Sequence, residues 1–317
     1  MYRFPFTIGI PAALYLVEDL PFWINFFNHL GIRTHSSSKI KNPDKLGKNL
    51  AQAEFCSPIA ALHGHVNYLL ETTDYLFLPC YFELKEKKKD LKRKYCYYSQ
   101  YTPTIIKSRW HTDKILSPLI RHRYTTFHTR AELYRMLQRI DGCNVTFLEV
   151  STAYDYALSR VHKNQQKLKS LFTPGQTDDI QVVLLGWPYT VLAPSMNKGI
   201  PDFFASLGIR TYYQDMVPIA EKHTKNIKPL LAEVHWHYAA RILETAEAIT
   251  RIKGIYPVLI TSFKCSPDSY IITYLKKLLD SRDKPYLILE LDDHDSSVGY
   301  ETRIEAAVRA FRNHNKD

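Results

Sequence analysis

Short apolar runs rich in β-branched residues alternate along this chain with longer stretches of helical periodicity. That alternation dictates a parallel α/β fold, because parallel strands need a crossover element between them. Thr7 to Ile10 reads as a buried strand, Asp19 to Leu30 as a helix stopped by Gly31, and Ile32 to Thr34 as the next strand. Pro58 to Leu70 reads as a helix, and Tyr75 to Leu78 as a short strand that runs into Pro79 and Cys80. From Tyr101 to Phe172 the strand signal fades and helical patterns take over, at Arg130 to Ile140 and Ala153 to Leu171. The turn-forming cluster Thr173-Pro174-Gly175-Gln176 then precedes a second α/β run. Its elements are a strand at Gln181 to Leu185, a helix at Asn197 to Leu207 with Gly208 as its stop, and a strand at Ile209 to Tyr213. A long helix at Ala232 to Arg251, a strand at Pro257 to Thr261, a helix at Asp268 to Leu279, a strand at Tyr286 to Leu291 and a final helix from Arg303 complete it. The phrases FFNHLGIRT, Phe26 to Thr34, and FFASLGIRT, Phe203 to Thr211, point to two lobes built from one unit.

A length of 317 residues, 45% of them hydrophobic, suffices for two domains with their own cores. Lys and Arg number 42 against 32 Asp and Glu, a formal charge of +10 that suits an anionic partner: nucleic acid, a CoA-type phosphate or an acidic protein. Much of the excess lies in KEKKKDLKRK, Lys85 to Lys94, which reads as a solvated segment. No motif that reads nucleic acid is present, so that partner is not expected. No apolar run approaches the roughly 20 residues of a membrane span, and Glu18 and Asp19 interrupt the N-terminal apolar stretch, so the expectation is a soluble protein without a membrane partner. Five scattered cysteines, an odd number with no signal peptide, argue against a secreted disulfide framework and for a reducing cytoplasm. Neither a P-loop nor a GxGxxG motif occurs.

Cys265, in FKCSPDSY, follows a strand and precedes a helix, which places its thiol at a strand C-terminus facing a helix N-terminus. Ser266-Pro267-Asp268 supplies cap and first-turn chemistry for that helix. Cys56 repeats the arrangement, with Ser57-Pro58 opening the next helix. Cys80 ends a strand in LFLPCY, and Cys96 reads as a loop residue in KYCYYSQ. Four such thiolates suit zinc or an iron–sulfur cluster, and the spacing does not separate the two, nor either from buried structural cysteines. His63-Gly64-His65 and His235-Trp236-His237 are histidines two apart, which point to different sides of a helix and read as structural. The segment ELDDHDSS, Glu290 to Ser297, puts carboxylates and a histidine at a strand end, where an active-site loop belongs.

Taken in order, IGIPAALYLVEDLPFWINFFNHLGI, EFCSPIAALHGHVNYLL, DYLFLPCY, KYCYYS, LLGWPYTV, VHWHYAARIL, ITSFKCSPDSYII and LELDDHDSSVGYETRIEA resemble the CoA-enzyme activase-related family. Its relatives are 2-hydroxyacyl-CoA dehydratase and benzoyl-CoA reductase subunits and double-cubane cluster proteins. The resemblance implies an α/β architecture of two Rossmann-like, doubly wound lobes, residues 1–100 and 177–317, with a helical connector at 101–176 and a cluster between the lobes. It implies Cys56, Cys96 and Cys265 as ligands of a 4Fe-4S cluster, of cubane or double-cubane type, while Cys143 matches no ligand position. Cys80 stands where relatives carry an arginine and offers a fourth thiolate, which would close the cluster to substrate. Ser266 and Tyr97 also depart from the pattern, at a glycine and a proline position. The implied function is low-potential electron transfer to a substrate or partner subunit, as in a (R)-2-hydroxyacyl-CoA dehydratase-like or reductase-like subunit. An acyl-CoA is then the substrate class, a related cluster-binding subunit a partner, and a separate ATP-dependent activator of the actin-like ATPase class the source of driving force. The alternative is a non-catalytic scaffold or electron-relay subunit of a larger complex.

Overall fold

Two units, Met1–Asn164 and Gln165–Asp317, each carry a parallel sheet flanked by helices, as the alternation of strand and helix patterns requires. The computed structural model describes residues 2–51, 53–82, 93–121, 125–176, 179–292 and 297–316. Most of the basic run, residues 85–92, and residues 293–296 of the acidic loop lie outside the described residues.

The first unit runs β1 (Thr7–Ile10), α1 (Leu16–His29), β2 (Arg33–Ser36), α2 (Pro43–Leu50), α3 (Ser57–Thr72), β3 (Tyr75–Phe77), β4 (Cys80–Tyr81), α4 (Tyr97–Arg109), β5 (Ile115–Leu116), β6 (Leu119–Ile120) and α5 (Thr126–Leu137). α6 (Phe147–Ser170) carries the chain across the unit boundary. The sheet order is β2-β1-β3-β5, all parallel, and β4 pairs with β6 in a separate two-stranded ribbon. β1 therefore has β2 on one side and β3 on the other, and the chain changes direction across the sheet between β1 and β3.

The second unit contains β7 (Gln181–Leu185), α7 (Pro188–Val191), α8 (Ile200–Ser206), β8 (Arg210–Tyr213), α9 (Glu221–Thr224), α10 (Lys228–Glu233), α11 (His237–Ile249), β9 (Ile255–Ser262), α12 (Ser266–Asp280), β10 (Leu287–Leu291) and α13 (Ser297–Lys316). Its sheet, β10-β9-β7-β8, is also wholly parallel, and its direction changes between β7 and β9. Read from the second strand of each unit, the two orders are the same.

The repeated phrase has a structural basis. In both copies the second phenylalanine, Phe27 or Phe204, is fully buried. The amide three residues past the helix end then reaches back to that phenylalanine's carbonyl, Ile32 to Phe27 and Ile209 to Phe204, each at 3.0 Å. Gly31 and Gly208 sit in the left-handed region between them, so both helices close with the same C-terminal motif. In the first unit Phe27 and Trp23 pack on Phe77 with ring centroids 5.0 and 4.6 Å apart. In the second, Phe204 joins Val182, Leu184, Val258, Ile260 and Ile304 in the core.

Four expectations change. The helix α4 starts at Tyr97, inside the KYCYYSQ phrase where a loop was expected, and runs into the segment from Tyr101 where helix was expected; Pro103 lies inside it, and its aromatic and β-branched residues carry no clear periodicity. β5 and β6 are two-residue strands, too short to leave a pattern in the sequence. The long helix expected from Ala232 to Arg251 breaks at 234–236, where buried Val234 and then Trp236 take extended backbone, so His235 precedes α11 and His237 opens it. Finally, α6 starts earlier than its apolar pattern, because Thr146 and Glu149 form a reciprocal cap: the Thr146 amide donates to Glu149 Oε2 at 2.6 Å and the Glu149 amide to Thr146 Oγ1 at 3.2 Å.

α2 and α3 cross with backbone against backbone. A Cβ added at Gly64 would lie 2.2 Å from the Pro43 carbonyl oxygen, and one added at Gly47 would lie 1.6 Å from that of Ala60. Gly64→Ala is therefore expected to destabilise the protein by about 1–3 kcal/mol, lowering Tm by roughly 2–12 °C. Gly299→Ala in α13, where an added Cβ meets nothing within 4 Å, should instead gain about 0.5–1 kcal/mol. Thermal melts of both variants check the contrast, and an unchanged Tm for Gly64→Ala would remove the crossing as a constraint.

Candidate functional site

Open parallel sheets bind ligands beyond the C-terminal ends of their strands, at the point where strand order changes direction. In the first unit that point lies between the exits of β1 and β3. The Tyr15 hydroxyl, past β1, donates to the Pro79 carbonyl, past β3, and ties the two exits together. Cys80 follows at once. Its thiol donates to the Gln100 carbonyl in the first turn of α4, Sγ to O 3.1 Å, and burial raises its pKa against the pull of Arg121. Cys80 is thus held as a protonated thiol.

Cys96 is the N-cap of α4, in extended backbone, and its sulfur lies 3.3 Å from the Ser99 hydroxyl. The expectation of a loop position is corrected here, because Gln100 locks the turn: its amide donates to the Cys96 carbonyl and its side chain to that of Tyr95. Cys56 is the N-cap of α3, again extended, with Pro58 in the first turn. α3 ends beside the start of β1, where the Thr7 amide donates to Asp74 at 2.8 Å, so its beginning lies toward the opposite, C-terminal edge. Phe55, just before the N-cap of α3, meets Tyr98 in the first turn of α4 there, ring centroids 5.6 Å apart. One sheet edge therefore gathers Cys56, Cys80 and Cys96.

The histidines of the His-Gly-His motif point apart, as their spacing implies. His63 Nδ1 bonds the Ile59 carbonyl at 2.8 Å, and its ring lies between Phe55 and Trp110. His65 Nδ1 lies 2.7 Å from the Ser37 hydroxyl, which also accepts the Ala12 amide at 3.0 Å. This small network joins the β1 exit, the β2 exit and α3. Burial pushes the His65 pKa down to about 4, opposed by its hydrogen bond to Ser37.

In the second unit the direction changes between β7 and β9. Gly186, at φ +152, lets the β7 exit pass close to β9, where any Cβ would fall 2.5 Å from the Ile260 carbonyl oxygen. Trp187 follows, fully buried, and its indole N–H donates to Asp268 Oδ1 at 2.5 Å. Thr261, near the end of β9, donates to Asp268 Oδ2. Cys265 is the N-cap of α12, with Pro267 and Asp268 in the first turn, and its side chain also hydrogen-bonds Asp268. Asp268 is wholly buried, and burial raises its pKa to about 6 against these three hydrogen bonds. Sequence reasoning placed Cys265 at this edge but gave Asp268 only a capping role. The Gly-Trp-Pro phrase after a strand was the available signal for its partner.

None of the five cysteines is in a disulfide, and Cys143 is buried in the α5–α6 connection. Among the described residues no three His, Cys, Asp or Glu side chains converge on one metal ion, and no helix is long and apolar enough to cross a membrane.

Unfolded, the His65 imidazole takes its proton near 6.5; folded, only near 4. The stability it contributes is present above pH 6.5 and lost as pH falls toward 4. Asp268, raised to about 6, acts in the opposite sense, so the comparison must be made against a variant. The stability gap between wild type and His65→Gln, from urea titrations, should narrow by about 2 kcal/mol between pH 7 and pH 5. A gap independent of pH would contradict the buried, neutral imidazole.

The SBP FpvC of Pseudomonas aeruginosa, in complexes with Ni2+ and with Mn2+, aligns over 98% of this chain and 97% of its own, at 12% identity and TM-scores of 0.29 and 0.28. Scores that low carry nothing about fold or metal binding to this chain. No curated protein matches it. A family model does, over residues 7–217, which takes in Cys56, Cys80, Cys96 and Trp187 and ends before Cys265. With more than half of its length matched, the chain belongs to the family described as the CoA enzyme activase uncharacterised domain (DUF2229).

Proposed function

We propose that this chain is an iron–sulfur protein of the 2-hydroxyacyl-CoA dehydratase type, passing electrons at low potential to a substrate or partner subunit. The ligands it would use are Cys56, Cys96 and Cys265. One observation carries the reading: each of these three cysteines, and neither Cys80 nor Cys143, is the N-cap of a helix, α3, α4 and α12. These helices are 16, 13 and 15 residues long, and none is capped by a side-chain hydrogen bond. The amides of a first turn and the positive end of the helix dipole favour negative charge on a thiolate or a cluster sulfide. When bound, such a cluster supplies a one-electron centre whose potential follows its charge, its hydrogen bonds and its exposure.

Cys80 is left out of the ligand set because, unlike the other three, it caps no helix and opens β4 instead. With only these three thiolates as ligands, a bound cluster would leave room for an acyl-CoA substrate. No phosphate-binding motif occurs in the sequence, so the driving force belongs to a separate ATP-dependent activator of the actin-like ATPase class, with a related cluster-binding subunit as a further partner.

Iron, sulfide and zinc measured together with a visible spectrum on protein purified without oxygen test the reading. Brown wild-type protein with roughly four irons per chain is expected. Cys56→Ala, Cys96→Ala and Cys265→Ala should each lose that iron, while Cys143→Ala and Cys80→Ala keep it. Iron lost in Cys80→Ala as well would mark a cluster closed by four thiolates, hence an electron relay without substrate at iron. Equal iron in all five variants would end the ligand assignment, and colourless zinc protein would replace the cluster with a structural zinc site.

A further inference from the structure

A solvated helix face is ordinarily written in charged residues, and the outward face of α4 is not. Tyr97, Tyr101, Thr104 and Ser108 follow at i, i+4, i+7 and i+11, which puts them on one stripe of the helix, and all four are exposed. Tyr97 keeps 69% and Tyr101 50% of its surface in solvent.

The stripe continues into a rim of rings. Tyr101 meets the half-buried Phe82 with ring centroids 6.4 Å apart, and the exposed Tyr98 meets Phe55. Each of these segments adjoins a cysteine: Phe55 precedes Cys56, Phe82 follows Cys80 by two residues, and Tyr97 follows Cys96. The rim therefore lies at the sheet edge that gathers the three thiols. Exposed aromatic surface of this contiguous kind marks an interaction site, whereas an apolar residue exposed singly needs no partner.

Shape and charge select the occupant. Small molecules are held in concave sites, and a helix face is convex; tyrosine on such a face is the composition of protein–protein contacts. From Arg93 to Thr112 the chain carries no Asp or Glu. Lys94 ahead of the helix and Lys107 at the border of the stripe are both exposed. An acidic partner surface is attracted there, and a basic one, such as a second copy of the same face, is repelled.

We propose that the outward stripe of α4, Tyr97 and Tyr101 flanked by Lys94 and Lys107, is the docking surface for an acidic one-electron carrier protein. That the occupant carries electrons rests on the iron–sulfur function proposed above; that it is an acidic protein rests on the stripe itself. A carrier seated there exchanges its electron beside Cys96 without entering the protein.

Electron transfer run in the downhill direction tests this. Iron-loaded protein, photoreduced without oxygen, is mixed in a stopped-flow cell with oxidised flavodoxin as an acidic protein acceptor, or with methyl viologen as a small one. The iron–sulfur centre loses one electron; the flavin gains it with a proton from water and becomes the neutral semiquinone, whose absorbance is followed. In Tyr97→Ser/Tyr101→Ser the second-order rate with flavodoxin is expected to fall about tenfold, the scale of a lost interface anchor, while the rate with viologen stays as in wild type. Lys107→Glu should slow flavodoxin alone and flatten the dependence of its rate on salt. Leu148→Ser, which removes a singly exposed leucine of α6, should change neither rate. Flavodoxin rates equal to wild type in both α4 variants overturn the docking surface. So does an equal fall with both acceptors, which would put the loss at the cysteines instead. A wild-type dimer that dissociates in the tyrosine variant with its flavodoxin rate intact assigns the stripe to a second copy of this chain and likewise overturns the proposal. Wild type that binds no iron overturns the iron–sulfur reading, and the stripe is then judged by calorimetric titration of flavodoxin into the metal-free chain. Binding that is lost in the tyrosine variant upholds an acidic protein partner, and no binding to wild type ends it.

Discussion

Parallel pairing is the constraint on which everything else depends. Because β1 pairs in parallel with both β2 and β3, and β7 with both β8 and β9, each sheet ends all its strands at one edge. Helices that return antiparallel to those strands must start at that edge, so the amides of their first turns and the strand exits collect in the same place. Side chains with chemistry need only fall at a helix start or just past a strand to be gathered. Cys56, Cys96 and Cys265 satisfy the first condition, and Cys80 the second.

Much of this was legible in the sequence, for physical reasons that differ by element. β1 and β7 announced themselves as apolar runs, and α3 and α12 through a Ser-Pro after the cysteine, which is cap chemistry written in local residue types. The closing turns at Gly31 and Gly208 were legible because a left-handed residue after a helix is nearly always glycine. α4 was not: its start carries Tyr97 and Tyr98 rather than a proline, and Pro103 contradicts the helix from within. Tertiary contacts override that local preference, through Gln100 bonding back to Tyr95 and through Cys80 on the Gln100 carbonyl. The break before α11 was hidden for the opposite reason, since residues on both sides of it have good helical periodicity and only the burial of Val234 interrupts them.

The candidate site was legible to the depth of single residues and no further. That Cys265 stands at a helix start follows from the residues beside it. That Asp268 faces inward follows from Trp187, far away in the chain, and from Thr261, near the end of β9. Long-range hydrogen bonds of this kind leave no spacing to read. The acidic residues of the Glu290 to Ser297 segment illustrate the same limit, because their sequence suggests an edge loop and nothing local says what it would face.

The crossing of α2 and α3 separates two ideas that the His-Gly-His motif runs together. Its histidines are held by contacts that other polar or aromatic residues could satisfy in part, a carbonyl for His63 and a hydroxyl for His65. Its glycine is held by a neighbouring backbone, which has no substitute. In a distant relative the histidines can therefore drift while Gly64 persists, together with its counterpart Gly47. Recognition by sequence then gains more from a pair of glycines on two successive helices than from the conspicuous imidazoles, and the pair would mark the fold even where every cysteine has been lost.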